Sequence, residues 1–303
     1  MKVCHLTSAH PRNDIRIFHK ECRSLASNGY KITLLVSDGL GNEFVDGVNI
    51  IDVGLNNPGR LGRFIKTTRK VYKKAVEIDA DIYHFHDPEL ILYAYLLIKR
   101  GKKVIYDAHE DLPRQILSKP YLSNFSKKFL SFFIEKVENI IASKFTAIVT
   151  ATPYIKERFN QYNCQTIDIN NFPLMAELFD SSSTNYKKNQ VCYIGGISEI
   201  RGIEALIKAC EKINGTLVLA GKFYNQSLEK KIKSLAGWKN VDYRGFISRK
   251  EAKLILSESK AGIVTFLSVP NHINSQPNKM FEYMSAQLPV ISSDFELWKS
   301  IIE

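Results

Sequence analysis

The sequence predicts an α/β protein made of two doubly wound domains, each with a parallel sheet covered by helices on both faces. Short segments rich in Val and Ile alternate with amphipathic segments of helical period along almost the whole chain. Many of the strand segments are apolar at consecutive positions, as burial of both faces of a sheet requires. A length of 303 residues also suits two domains better than one.

The order of the elements follows from this alternation. In the first half, the predicted strands are residues 3–9, 32–37, 48–53, 82–86, 103–108 and 147–151, and the predicted helices are 14–27, 60–78, 89–99, 125–142 and 153–161. In the second half, the strands are 190–195, 216–220, 241–244, 263–267 and 290–293, and the helices are 203–212, 228–235, 251–257 and 279–286. A polar stretch rich in Ser, Thr and Asn separates the halves. We therefore expect domains at 1–171 and 190–303 joined by a linker at 172–189, with ligands bound in a cleft between the carboxyl edges of the two sheets.

Composition excludes several classes of protein. The longest apolar run, residues 90–98, is far shorter than the roughly 20 residues that cross a bilayer. The first residues lack the apolar core of a signal peptide, which predicts a cytoplasmic protein. The five cysteines are scattered without a Cys-x-x-Cys pair, so no disulfide or metal framework is expected. The net charge of +11 favours an anionic partner, but no nucleic-acid motif is present and a nucleic-acid partner is not expected.

The richest polar segment follows the strand at 82–86. Alternation places His84 and His86 on one face, and Asp87 and Glu89 at the start of the next helix. An imidazole beside a carboxylate at the carboxyl end of a parallel strand can relay a proton near neutral pH. His86 and Asp87 are therefore candidate catalytic residues. The alternative is a helix cap at Asp87 and two structural imidazoles.

A second polar cluster follows the next strand and contains Asp107, His109 and Glu110. These groups are candidates for contacts to a substrate or an acceptor hydroxyl, or alternatively for helix capping. The ligand spacings typical of metal sites are absent, so no metal is predicted.

The first strand leads into a turn that contains His10, Asp14 and Arg16 but no glycine. A dinucleotide cofactor would need Gly-x-Gly-x-x-Gly there, which disfavours a nicotinamide or flavin enzyme. His10 and Arg16 are instead predicted to face an anion, with Asp14 as a helix cap.

The second domain offers a candidate phosphate site. Gly195 and Gly196 follow its first strand, and Arg201 lies at the start of the next helix. Glycines let backbone amides approach a ligand, and a guanidinium binds phosphate oxygens at two points. Lys279 lies in the first turn of a later helix that begins after a proline, and Glu282 follows one turn on, placed to accept hydrogen bonds from a ribose diol.

With Asp14-x-Arg16-Ile-Phe, His86-Asp87-Pro88, Arg201-Gly202 and Lys279-x-x-Glu282 in this order, the chain resembles GT-B glycosyltransferases of the family 4 type over essentially its whole length. These are retaining enzymes of capsule, lipopolysaccharide and exopolysaccharide synthesis. The resemblance implies transfer of a sugar from a nucleoside-diphosphate sugar to a hydroxyl of a glycan or polyprenyl-linked acceptor, without a cofactor or a metal. It also implies that His86 contacts the sugar near its reacting carbon and that Asp87 orients it.

The chain departs from the family pattern at three positions. Gly196 stands where an arginine is usual, Asn274 where the first glutamate of a Glu-x7-Glu pair is usual, and Gln287 where a glycine is usual. Family members also continue beyond the position of Glu303, so we expect a C-terminally truncated chain. An inactive truncated homologue or scaffold and a nucleotide-sugar epimerase are the alternative functions.

Part of the basic excess is local. Seven basic residues recur without an acidic residue in the segment that begins at Arg60 and ends at Lys74, and residues 124–134 add aromatic side chains near lysines. Such segments are typical of a surface that meets anionic lipid. This predicts a peripheral position at the inner face of the cytoplasmic membrane. The alternative is a solvated helix face.

Overall fold

Two parallel sheets form the framework of the protein, one in each of two units, Met1–Asn170 (unit 1) and Asn171–Glu303 (unit 2). The computed structural model describes residues 1–55, 62–119, 123–163, 165–174, 178–179 and 187–303. Arg60 and much of the predicted linker at 172–189 lie outside these described residues.

Unit 1 contains eight strands in the described residues. In chain order its elements are β1 (Lys2–Leu6), α1 (a π-helical segment Ile15–Cys22 continued by Arg23–Ser27), β2 (Lys31–Val36), β3 (Glu43–Val45), β4 (Val48–Asp52), α2 (a π-helical segment Arg63–Thr67 continued by Thr68–Ile78), β5 (Ile82–Phe85), α3 (a 3-10 turn Pro88–Leu90 continued by Ile91–Lys99), β6 (Lys103–Ala108), α4 (Leu112–Leu117), α5 (Asn124–Ala142), β7 (Ala147–Thr150), α6 (Pro153–Asn160) and β8 (Thr166–Asp168). The sheet order is β3-β4-β2-β1-β5-β6-β7-β8. All pairs are parallel except β3 with β4.

Unit 2 repeats this plan with five strands in the described residues. Its elements are β9 (Gln190–Ile194), a 3-10 turn (Glu199–Arg201), α7 (Ile203–Cys210), β10 (Thr216–Ala220), α8 (Gln226–Lys233), a second 3-10 turn (Ala236–Asn240), β11 (Val241–Gly245), α9 (Arg249–Glu258), β12 (Gly262–Val264), α10 (Pro270–Ile273), α11 (Asn278–Ser285), β13 (Val290–Ser292) and α12 (Glu296–Ile302). The sheet order is β11-β10-β9-β12-β13, with every pair parallel.

Hydrophobic cores lie on both faces of each sheet, as consecutive apolar positions in the strands predict. In unit 1, Tyr83 and Phe85 on β5 are fully buried with Val71 of α2, whereas Leu34 of β2 packs in a separate cluster with Ile17 of α1. The apolar sides of the helices cover the sheet, so the polar residues at the carboxyl ends of the strands are left to form sites.

The sequence missed several short elements. The hairpin strand β3, the edge strand β8 and the helices α4 and α10 were not predicted, because segments of three to six residues carry too little periodicity. Alternation also does not reveal that the segment Ile15–Cys22 is π-helical. Among the described residues, no helix is both long and apolar enough to cross a membrane.

Candidate functional site

The carboxyl ends of β1, β5 and β6 lie side by side in unit 1, and polar side chains gather around the fully buried Asp107. Its carboxylate accepts two hydrogen bonds from Arg16, at 2.9 Å from Nε and 2.7 Å from Nη2. It also lies 2.9 Å from Nδ1 of His86. Burial by itself raises the pKa of Asp107, but its contacts with two histidines and Arg16 hold that pKa well below the usual value. Asp107 is therefore a carboxylate at neutral pH.

Arg16 was predicted to face an anionic ligand, and the structure corrects this prediction. The guanidinium is 6% exposed and is paired with Asp107, with Glu21 at 3.1 Å and with the carbonyl of Ile169 at 2.9 Å. A buried guanidinium needs such carboxylate partners, because an unpaired buried charge is costly. Arg16 and Asp107 therefore organise the interior of the site and do not offer free groups to an acceptor.

His86, which was predicted to contact the sugar, is buried in unit 1. The imidazole is 1% exposed, and both of its nitrogens have partners inside unit 1. Nδ1 contacts Asp107, and Nε2 lies 2.9 Å from Nδ1 of His5. Strand alternation gave the face of His86 correctly but not its depth below the surface, which depends on the neighbouring strands.

Asp87, which was predicted to orient the sugar, contacts the loop after β1. Its Oδ2 accepts hydrogen bonds from the Thr7 hydroxyl at 2.8 Å and from the Ser8 amide at 2.6 Å, and its Oδ1 lies 2.9 Å from Nδ1 of His10. Burial raises the pKa of Asp87, but the bond with His10 and the other donors outweigh it and lower the pKa well below its usual value. Asp87 is a positioning residue.

Three of the predicted acceptor-side residues remain accessible at this edge. His10 and His109 have partly exposed side chains, 28% and 19%, with ring centroids 5.1 Å apart, and Glu110 is exposed. Burial lowers the pKa of His109, but Asp107, 3.5 Å away, more than compensates and raises it. Asp14 caps α1, as predicted, because its Oδ1 accepts from two backbone amides at 2.9 Å.

Sequence reasoning missed His5 and Glu21, which border the same cluster. His5 is directly opposite His84 in the β1–β5 register, and Glu21 lies 3.8 Å from His86 Nε2. The only sequence signal was that His5 lies on the predicted first strand. Its proximity to His86 depends on which strands are neighbours, and a sequence alone does not give that order.

In unit 2, the predicted donor residues gather at the carboxyl end of β9. Gly195 has a φ of +140°, and a Cβ there would lie 2.8 Å from Nζ of Lys279 and 3.7 Å from Nη1 of Arg201. The guanidinium of Arg201 donates to the carbonyl oxygen of Gly196 at 3.0 Å. Glycine is thus required at 195 both by its backbone conformation and by the space that the lysine occupies.

The ammonium of Lys279 is buried and has no hydrogen-bond partner among the described residues. It lies 3.7 Å from the ring centroid of Tyr193 and 5.2 Å from that of Phe266. Burial, together with the charge of Arg201, holds the pKa of Lys279 well below its usual value. A buried ammonium that has no hydrogen-bond partner among the described residues and lies beside aromatic rings, a second cation and a glycine turn is suited to receive an anion.

Glu282 is on the same helix, α11, and one of its oxygens accepts a hydrogen bond from Nη1 of Arg249 at 2.7 Å. Sequence reasoning did not identify Arg249. A cavity of about 420 Å³ adjoins the glycine turn; its lining includes Gly195, Gly196, Gly221, Lys222, Phe223, Tyr224 and Phe246. Its volume and aromatic walls suit a small organic ligand.

Family models match both units of the chain. Residues 16–170 match the family model of Glycosyltransferase Family 4, and residues 175–303 match the model of Glycosyl transferases group 1. A search of the curated proteins finds no match.

Several solved structures are similar over nearly the whole chain. Sucrose-phosphate synthase from Thermosynechococcus elongatus is 14% identical with a TM-score of 0.76, and the alignment covers 97% of this chain and 81% of that one. WaaG, a glycosyltransferase involved in lipopolysaccharide biosynthesis, is 12% identical with a TM-score of 0.73, covering 100% and 83%. HepE of Anabaena, in complex with UDP and glucose, is 16% identical with a TM-score of 0.70, covering 100% and 83%.

Proposed function

Because this chain belongs to glycosyltransferase family 4, and is therefore a glycosyltransferase of the GT-B fold, we propose that it transfers a sugar from a nucleoside-diphosphate sugar to a hydroxyl of a glycan or lipid-linked acceptor, with retention of the anomeric configuration. The role proposed is in the synthesis of a surface polysaccharide. WaaG and the galactosyltransferase WaaB, both similar in fold, act in lipopolysaccharide synthesis, which supports this role.

The observation that carries the donor assignment is the unpartnered ammonium of Lys279. Leaving a buried charged group without a hydrogen bond costs several kcal/mol, so such a group is retained where a bound ligand supplies the missing hydrogen bond. The diphosphate of the donor supplies the missing anion, with Arg201 binding further oxygens and the turn at Gly195 allowing close approach of the backbone. The UDP in the similar HepE structure is a ligand of this chemical class.

The remaining parts of the donor also have candidate partners in unit 2. The aromatic-lined cavity beside the glycine turn suits the nucleoside, and Glu282, held by Arg249, accepts hydrogen bonds from the ribose hydroxyls.

The chemistry follows from the charge that develops on the leaving diphosphate. As the bond to the sugar breaks, Arg201 and Lys279 stabilise the new negative charge. These two side-chain cations supply what a divalent metal supplies to a diphosphate elsewhere, so we propose that the transfer requires neither a metal at the diphosphate nor an organic cofactor. Retention follows from attack on the face that the diphosphate leaves, with a donor phosphate oxygen accepting the proton.

On the acceptor side, His10, His109 and Glu110 are the accessible groups. His109 follows the end of β6, and its Nδ1 lies 3.5 Å from the carboxylate of Asp107. This contact orients the imidazole so that it can contact an acceptor hydroxyl. Three other residues position this edge of the sheet. Asp87 acts through the loop after β1, whereas Arg16 and His86 act through Asp107.

A membrane surface is the proposed location of the acceptor. Lys66, Arg69, Lys70 and Lys73 are exposed on α2. On α5, several phenylalanines are strongly exposed: Phe125, Phe129, Phe132 and Phe133. Each basic residue near anionic lipid contributes about 1 kcal/mol, and exposed aromatic rings are suited to the headgroup boundary. We propose reversible docking to the inner face of the cytoplasmic membrane.

The test is a donor screen followed by a transfer assay. UDP-, GDP- and ADP-sugars are screened by thermal unfolding, since a ligand at 100 times its Kd stabilises by about 2.7 kcal/mol. Release of the nucleoside diphosphate is then measured with and without a polyprenyl-linked or glycan acceptor, and NMR of the product gives the anomeric configuration. Acceptor-dependent release with retention is the expected result. An epimerised donor, or no stabilisation by any nucleotide sugar, would reject the proposal.

A further inference from the structure

Three histidines converge in the interior of unit 1, on the face of the sheet that also carries Asp107. The β1–β5 register places His5 beside His84, and His86 follows two residues later on the same face. Their ring centroids are 4.8 Å apart for His5 and His84, 4.8 Å for His84 and His86, and 5.2 Å for His5 and His86.

A carboxylate from α1 completes this group. Oε2 of Glu21 lies 3.9 Å from Nδ1 of His5 and 3.8 Å from Nε2 of His86. One ligand atom from each of the four side chains falls within a span of 4.8 Å. Four donors of this kind, three imidazoles and one carboxylate, are the number and type that a tetrahedral zinc ion takes.

The cluster is buried, and the protein satisfies only part of its hydrogen-bonding atoms. His5, His84 and His86 are 0%, 8% and 1% exposed. Nε2 of His5, Nε2 of His84 and Oε2 of Glu21 have no hydrogen-bond partner among the described residues. Each buried polar atom left in this state costs about 1–3 kcal/mol, and a bound cation would remove that cost for the ligating atoms.

The surroundings of His86 match those of a metal-bound imidazole. Its Nδ1 contacts the carboxylate of Asp107 at 2.9 Å, so Nδ1 carries the proton and Nε2 presents its lone pair to the cluster. Arg16 holds Asp107 and also contacts Glu21 at 3.1 Å, which fixes both carboxylates relative to the rings. Such a carboxylate–histidine contact behind the ligand is the usual outer support of zinc sites.

We propose that His5, His84, His86 and Glu21 bind one divalent transition-metal ion, with zinc as the preferred metal. All four ligands come from the protein and the site is closed, so the ion has a structural role. It joins β1, β5 and α1 behind the loop that carries His10. Binding of the ion displaces the proton between Nδ1 of His5 and Nε2 of His86, and a proton on Nε2 of His5 keeps that imidazole neutral. The two nitrogens are 2.9 Å apart and would separate to about 3.3 Å, the spacing that Zn–N bonds of about 2.0–2.1 Å require.

The experiment measures metal content rather than activity, so its outcome is independent of the proposed transferase function. The full chain is purified without a histidine tag, incubated with Zn²⁺, desalted and analysed for zinc by mass spectrometry. The same is done for His84→Gln, for Glu21→Gln and for the control His19→Gln, which removes an exposed histidine from α1. Co²⁺ replaces Zn²⁺ in a second preparation, because four-coordinate cobalt has intense visible absorption.

We expect about one zinc per chain in the wild type and in His19→Gln, and a loss of at least tenfold in zinc affinity in the other two variants. Zinc should raise the Tm of the chelator-treated wild type by on the order of 10 °C. Less than half a zinc per wild-type chain after desalting overturns the proposal, as does zinc content in His84→Gln equal to that of the wild type. Either result would leave the cluster as a proton-sharing network. If His84→Gln fails to fold, the wild-type stoichiometry and the cobalt spectrum decide.

Discussion

Replacement of Lys279 by methionine should uncouple stability from donor binding, because its buried Nζ has no hydrogen-bond partner within the part of the chain that the structure describes. Methionine keeps much of the length of the side chain and its contacts with the aromatic rings, but removes the charge. Below about pH 10.5 the folding of the wild type must either bury this charge or release its proton, so the variant without ligand should be at least as stable as the wild type, with a gain of about 1 kcal/mol or more.

Ligand binding should change in the opposite direction. A hydrogen bond to a charged group contributes about 1.5–3 kcal/mol, so Lys279→Met should weaken binding of the nucleoside diphosphate by about 10- to 150-fold. The transfer rate should fall by about 10²–10³, as for the loss of a single group that stabilises developing negative charge. Titration calorimetry and the diphosphate-release assay measure these two quantities.

The pH dependence of the free energy of unfolding provides an independent test. Burial lowers the pKa of Lys279 well below the usual value of 10.5. Between that lowered pKa and about 10.5, the unfolded chain binds one proton more than the folded one, so the stability of the ligand-free wild type rises with pH relative to the variant. The slope is at most about 1.4 kcal/mol per pH unit. Binding of the diphosphate restores the charged form, so the wild type should take up a proton on binding, which calorimetry in buffers of different ionisation enthalpy detects.

The control is Lys299→Met, which removes an exposed lysine from α12. It should leave stability within about 0.5 kcal/mol and diphosphate affinity unchanged. Equal diphosphate affinity in wild type and Lys279→Met, or a difference in their stability that does not change between about pH 7 and about pH 10, would refute the reasoning.

Three other variants test the two units. Gly195→Ala should abolish the rise in Tm that the nucleotide sugar produces, because its Cβ would lie 2.8 Å from the buried ammonium at a φ of +140°. A rise in Tm equal to that of the wild type would contradict this. Arg16→Met should destabilise by about 3–5 kcal/mol in urea unfolding, because it leaves a buried carboxylate without its cation, whereas Arg23→Met, at an exposed pair, should cost less than about 0.5 kcal/mol. Phe129→Ser should reduce co-sedimentation with anionic vesicles, whereas Phe44→Ser, also exposed in unit 1, should not, and equal loss in both would argue against docking through α5.

The fold was largely predictable from the sequence, because long elements carry a strong periodic signal. Strands such as β6 and helices such as α5 follow from apolar runs and amphipathic spacing, and their predicted bounds agree with the structure to within a residue. The same reasoning placed Gly195, Arg201 and Lys279 at the carboxyl edge of the second sheet, and these three do lie together.

The depth and partners of side chains were not predictable in the same way. The sequence indicated that His86 and Asp87 are accessible, yet both are buried. The residues that bury them come about 80 positions earlier in the chain: His5 and the loop that contains Ser8. The motif around His86 indicated a polar site at the carboxyl edge of the first sheet, but not the burial of His86 or the contacts of Asp87 with the loop after β1.

The sequence by itself determined the two-domain α/β architecture, the expected family and the edges at which polar groups collect, because these depend on local periodicity and on short motifs. Only the tertiary structure decided that Arg16 is held by Asp107, that Lys279 is buried with no hydrogen-bond partner in the described ranges, and that three histidines and Glu21 form one cluster. Those arrangements depend on strand order and on packing between residues far apart in the chain. The physical reason is that burial changes the energy of a charge or an imidazole far more than any local pattern of residues does.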